Sequence, residues 1–147
     1  MSLRDLYQQY ASDPDLLDRT ADEALKIYEN AETKAMRFQS ETYRHWGQLA
    51  AIAANEADKI KDHVKEVVWS DCYLRAAQRL EEEEGKKPTE KRIEATARRD
   101  PYYQRELALL REAELRAEQF KTIEKAFWHR KEMLEQINFR QCRELSH

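Results

Sequence analysis

The chain has 147 residues, with 26 Lys and Arg against 29 Asp and Glu, a net charge of -3 and a charged fraction of 37%. That length suits one domain rather than two, and the charge is well above the roughly 25% of an ordinary globular domain. Two Gly and three Pro are too few turn residues for an all-β fold, and Gly47 and Gly85 stand alone, which excludes a Gly-rich phosphate loop.

In chain order, Leu3 to Ala11 reads as a short leading helix, and Asp13-Pro14-Asp15 ends it, because proline inside a helix loses a hydrogen bond and clashes with the preceding turn. From Leu16 to Glu84 there is no proline. Apolar-side positions recur in steps of three and four through Ala24, Tyr28, Ala31, Ala35, Phe38, Thr42, His45, Leu49, Ile52, Ile60, Val64, Val67, Leu74 and Ala77. Such steps line one face of a helix, and a single long helix over 16–84 is expected. Its weak point is Gly47, about 1 kcal/mol worse than Ala in a helix interior, so a bend is expected there.

Glu81 to Pro88 reads as the main turn, with Gly85 just past a helix end. Thr89 is placed to cap a short helix, Glu90 to Arg98. Asp100-Pro101 then starts the last helix, with Asp as N-cap and Pro at the first position. It runs to about Glu144, on a stripe of Tyr103, Leu107, Leu110, Ala113, Ala117, Phe120, Ile123, Phe127, Leu134 and Ile137. The spacing is close to that of coiled-coil packing. The expected fold is all-α: an elongated antiparallel helical hairpin in one domain, with a short leading helix (1–12) and a short helix within the charged turn (85–100). The pairing is expected to centre near residue 93, which sets Cys72 opposite about residue 114.

The apolar fraction of 41% is rich in Ala, modest for a compact monomer of this size. Three Trp, seven Tyr and four Phe argue against disorder. A homo-oligomer is therefore expected, with Leu107, Leu110, Phe120, Ile123, Phe127, Leu134 and Ile137 at its interface. No stretch approaches the roughly 18 apolar residues of a spanning helix, and the N-terminal residues MSLRDLYQQY have no signal-peptide core. The two cysteines form no CxxC pair and read as free thiols. The expectation is a soluble, cytoplasmic protein without membrane contact.

Catalytic and metal signatures are weak. Glu144-Leu145-Ser146-His147 is one Glu-x-x-His pair where a carboxylate bundle needs two. Cys72, Cys142, His63 and His129 are too scattered for zinc, and His45 and His63 fall on the apolar stripe, where a core or interface role is the ordinary one. No Ser or Cys sits in a recognisable nucleophile context. A non-enzymatic chain without cofactor is expected.

The charge map says more. Residues 1–58 carry an acidic excess, 59–99 a basic one, and 100–147 balance. After the acidic run Glu81 to Glu84 come Lys86, Lys87, Lys91, Arg92, Arg98 and Arg99 against only Glu90 and Glu94. Upstream, Lys59, Lys61, Lys65, Arg75 and Arg79 interleave with Trp69 and Tyr73. Cations that neutralise phosphates while rings stack on bases are the chemistry of single-strand binding. The same pattern also fits a solvated turn with aromatic core residues. In a symmetric oligomer each local basic patch would be repeated, so that weak contacts multiply.

The run Val64-Lys65-Glu66-Val67-Val68-Trp69-Ser70-Asp71-Cys72-Tyr73-Leu74-Arg75, then Gly85, Pro88-Thr89-Glu90-Lys91, Asp100-Pro101-Tyr102-Tyr103 and Phe127-Trp128-His129-Arg130-Lys131, resembles in layout the UvsY-like recombination mediators of tailed phages, over about residues 20–138. That family places a Lys-x-Arg-Leu element before the turn; Tyr73-Leu74-Arg75 stands in that place here, and the basic character of Lys65 and Arg75 is what carries over. The resemblance implies a homo-oligomer that binds single-stranded DNA and helps load a RecA-type recombinase onto strands covered by single-strand-binding protein. The rival expectation is a helical scaffold or adaptor that acts only through coiled-coil assembly.

Overall fold

The computed structural model describes the backbone of residues 1–27 and 32–145, and the side chains of these except 26, 27, 32–40, 138 and 141. Among the described residues there is no strand. The elements are α1 (Leu3–Ser12), α2 (Pro14–Ile27), α3 (Glu32–His63), a π-helical turn (Val64–Val68), α4 (Trp69–Glu84), α5 (Glu90–Arg98) and α6 (Pro101–Leu145). The stripe positions Tyr28, Ala31, Ala35 and Phe38, and His147 at the chain end, lie outside the described side chains.

The helix ends follow from local chemistry. Ser2 and Asp5 form a capping box: the Asp5 amide donates to Ser2 Oγ at 3.2 Å and the Ser2 amide to Asp5 Oδ2 at 3.3 Å, a cap worth about 1 kcal/mol. Asp13 accepts the Leu16 amide at 3.2 Å, so Pro14 opens α2 instead of only closing α1. At a first helical position the missing N–H of proline costs nothing. Gly85 takes the left-handed conformation, φ 68°, and its amide donates to the Glu81 carbonyl at 2.9 Å, as expected of a residue past a helix end. Asp100 Oδ1 accepts the Tyr102 amide at 2.9 Å and so caps α6. Thr89 stands at the N-cap of α5 without a side-chain cap bond; its carbonyl takes the Arg92 and Ile93 amides at 3.1 Å each.

Of the single helix expected over 16–84, the described parts are α2, to Ile27, and the helical run from Glu32 to Glu84; residues 28–31 lie outside the described ones. α3 runs unbroken through Gly47, and the irregularity that follows is the π turn. There the Trp69 amide donates to the Val64 carbonyl, five residues back. The reason lies in the spacing of the buried side chains Val64, Val68, Cys72, Ala76 and Leu80. They recur strictly every fourth residue, and at about 100° per residue a regular α-helix would leave Leu80 about 160° around from Val64. One extra residue in a wide turn cuts that drift to about 60°. It also corrects the expected stripe: Val67 and Leu74 are exposed, at 46% and 59%, while Val68 is wholly buried.

The chain divides into two compact units, Met1–Ala54 with Arg116–His147, and Asn55–Leu115, where the sequence reading takes one domain. In the first, α3 and α6 run antiparallel, with Tyr43 against Lys131, Trp46 against Phe127 and Gly47 against Glu124. Trp46 stacks on Phe127 at 5.5 Å and 11° and on Tyr10 at 5.8 Å and 23°, and Tyr7 meets Phe120 at 5.5 Å. Leu17, Leu49, Phe120 and Phe127 are fully buried in this core, each contributing about 1.5–3 kcal/mol by leaving water. Phe120 and Phe127 are therefore corrected from interface to core: they fill their own unit and are not available to a second copy. Ile123 packs against the same core, and Leu107 and Leu134 are half-buried. Leu110 is buried and Ile137 is 41% exposed.

In the second unit, α5 folds back on α4. Val68, Cys72, Ala76 and Leu80 pack with Ile93 and Ala97. Glu84 pairs with Arg92, Arg75 with Asp100, and Trp69 with Tyr103, so the antiparallel pairing centres at about residues 86–88 rather than near residue 93. Cys72 accordingly lies beside Arg75 and Asp100, not opposite residue 114. The short helix is the first part of the returning chain, because the reversal lies between the end of α4 at Glu84 and the start of α5 at Glu90, before the expected centre.

Candidate nucleic-acid interface

All the basic and aromatic residues that the sequence offers for nucleic-acid binding fall in the second unit, and they divide into two groups. The first is engaged within the fold. Arg75 forms an ion pair through Nη2 with Asp100 at 3.4 Å, donates through Nη2 to Cys72 Sγ at 3.6 Å and through Nε to the Asp71 carbonyl at 3.4 Å, and lies 5.7 Å from the centroid of the Tyr102 ring. Arg79 bonds Glu83 at 3.1 Å, Arg92 pairs with Glu84, and Lys59 lies 3.8 Å from Glu56. Trp69 and Tyr73 lean on the buried cluster, with Trp69 edge-on to Tyr103 at 5.2 Å. Being half-buried, these rings are core walls rather than free platforms for bases.

The second group is Lys61, Lys65, Lys86, Lys87 and Lys91. All five are exposed, and no ion pair involves them among the described residues. Lys61 and Lys65, four residues apart, share one side of the helix; Lys86 and Lys87 sit on the turn and Lys91 in the first turn of α5.

Between α4 and α5 runs an open groove of about 620 Å³, lined by Arg75, Arg79, Glu83, Arg99 and Asp100 with Ala76, Leu80, Thr96 and Pro101. Neither Arg99 nor Asp100 is among the residues that the sequence offers for nucleic-acid binding; Asp100 reads there only as a helix cap. Arg99 was visible only as the end of the basic run, and its convergence with Arg75 and Arg79 depends on where the chain turns back.

Burial pushes the Cys72 thiol up, and the Asp100 carboxylate beside it adds to the effect. The thiol is thus a poor nucleophile near neutral pH. Both cysteines are free, Cys72 buried and Cys142 exposed. Burial also lowers His45, which meets Trp46 edge-on at 5.9 Å. Among the described residues no three of His, Cys, Asp and Glu gather closely enough to hold a metal ion, and no helix is long and apolar enough to cross a membrane.

Comparison of the chain with protein-family models, with curated proteins and with solved structures returns no match. The functional reading therefore stands on the residues themselves.

Proposed function

We propose that this chain is a non-enzymatic, single-stranded-DNA-binding recombination mediator of the UvsY-like kind. It acts as a homo-oligomer and helps load a RecA-type recombinase onto strands covered by single-strand-binding protein. The observation that carries the reading is the set of five exposed lysines, Lys61, Lys65, Lys86, Lys87 and Lys91, whose charges have no carboxylate partner among the described residues. Such charges are free to replace counterions on a phosphate backbone. Arg75, Arg79, Arg92 and Lys59 already have partners, and Trp69 and Tyr73 are held in the core, so binding rests on phosphate contacts more than on base stacking. Each protomer contributes a few weak contacts, and the oligomer multiplies them.

A second reading, assembly alone, is favoured by the apolar side chains left in solvent on the last part of α6: Trp128 at 41%, Met133 at 58% and Phe139 at 68% exposed. A scaffold or adaptor needs such surface and no lysine patch. Fluorescence anisotropy with labelled oligo(dT) at low salt separates the two. The mediator reading expects saturable binding that is insensitive to base composition, and an oligomer without it leaves assembly alone.

A further inference from the structure

We propose that the groove between α4 and α5 is a binding site for a phosphomonoester, a function independent of the lysine surface and one that stands whether or not the chain binds DNA. Three guanidiniums, Arg75, Arg79 and Arg99, line the groove with two carboxylates, Glu83 and Asp100. Each carboxylate is taken by one arginine, Asp100 by Arg75 and Glu83 by Arg79. Arg99 is exposed and has no ion pair among the described residues, so one positive charge is left over at the groove wall. The end of α5 does not require Arg99, because Arg98 already supplies the positive charge in its last turn.

The ligand class follows from charge and shape. Three guanidiniums line the groove, one of them without a carboxylate partner among the described residues, and a terminal phosphomonoester offers them three acceptor oxygens and more negative charge than the diester of a strand interior. The planar guanidinium fork suits phosphate oxygens bidentately, and the ion pairs to Asp100 and Glu83 hold Arg75 and Arg79 in place before the ligand arrives. A groove of about 620 Å³ is within the usual range for a small ligand and has room for a mononucleotide. The source can be the 5′-phosphate of a strand or a free phosphate compound; the chemistry recognised is the same.

The test uses the full chain and isothermal titration with dTMP, inorganic phosphate and thymidine at pH 7.5. The site predicts saturable binding of dTMP and phosphate, none of thymidine, and a loss of at least ~10-fold in Arg99→Ala with the helical signal unchanged. Arg79→Gln is a second variant and should lose a similar factor. Lowering the pH to 5, below the second phosphate pKa of about 6, should weaken dTMP several-fold. A second arm compares 5′-phosphorylated with 5′-hydroxyl oligo(dT). A preference that disappears in Arg99→Ala assigns the site to strand ends, and equal binding of the two alongside tight dTMP assigns it to a free phosphate compound. Oligonucleotides that fail to bind while dTMP binds refute the mediator reading and leave the groove standing. Absence of dTMP and phosphate binding, or binding that neither arginine variant alters, overturns the proposal.

Discussion

Removing one residue from the π turn and one from the regular helix beyond it should have opposite consequences. Glu66, within Val64–Val68, and Gln78, within α4, are both exposed, so neither deletion removes a buried side chain. Deleting Gln78 turns everything after it by about 100° and draws it back about 1.5 Å. Leu80, only 7% exposed and packed with Ile93, then leaves the core, and the loss of a buried Leu costs about 2–5 kcal/mol. Deleting Glu66 takes out the residue that the wide turn accommodates. Val64 and Val68 stay inward, Cys72, Ala76 and Leu80 keep their face, and the cost should stay within about 1 kcal/mol. Against a total stability of roughly 5–15 kcal/mol for a typical domain, the difference is easily resolved. Urea denaturation followed by far-UV circular dichroism gives the comparison. If the Glu66 deletion is as damaging as the Gln78 deletion, the four-residue spacing is not the reason for the π turn.

Other consequences are simpler. Phe120→Ala should cost about 3–5 kcal/mol, and the denaturation midpoint should not depend on protein concentration beyond the wild type's own dependence; a loss that vanishes at high concentration would return Phe120 to an interface between copies. Gly47→Ala should stabilise by about 0.5–1 kcal/mol in the same urea assay, because the added Cβ meets only the mobile end of Glu124 at 3.5 Å; destabilisation would mean that this contact is tighter than its distance implies. His45 has its pKa lowered by burial from a reference of 6.5, so the unfolded chain takes up its proton first as pH falls. Its contribution is present above pH 6.5 and is lost as pH drops below that value. His45→Gln should flatten the fall in stability between pH 7 and 5, and an unchanged slope would remove His45 as a cause.

The all-α fold, the caps at Gly85 and Asp100, and the start of α6 at Pro101 were legible in the sequence because each depends on neighbours within a few positions. The place of the helix's irregularity was not: Gly47, the residue that looked weak, lies within unbroken helix beside Glu124, and the wide turn falls at Val64–Val68 instead. The π turn did leave a signal in the strict spacing from Val64 to Leu80, but Val67 and Leu74 offered a competing three-and-four pattern with equally apolar side chains. The stripe through Phe120 and Phe127 said that these rings are buried and could not say by what. The covering residues Tyr7, Tyr10 and Trp46 come from far away in the chain. Charges behave likewise. Composition counted the arginines, but which of them face a carboxylate depends on the register of α5 against α4, and the lysines were left over only once that register was known.

The most direct test of the proposed function is the salt dependence of binding to oligo(dT), measured for the wild type, for Lys61→Ala with Lys65→Ala, and for Lys86→Ala, Lys87→Ala and Lys91→Ala together. If all five lysines touch phosphates, the plot of log affinity against log salt should fall with a slope of about -3.5 per protomer, at about -0.7 for each contact on a single strand. The turn variant should flatten that slope by about 2 units and the pair variant by about 1.4, with helicity retained because alanine favours the helix. Binding whose slope ignores both sets of substitutions, or no binding at low salt by a well-folded oligomer, contradicts the account.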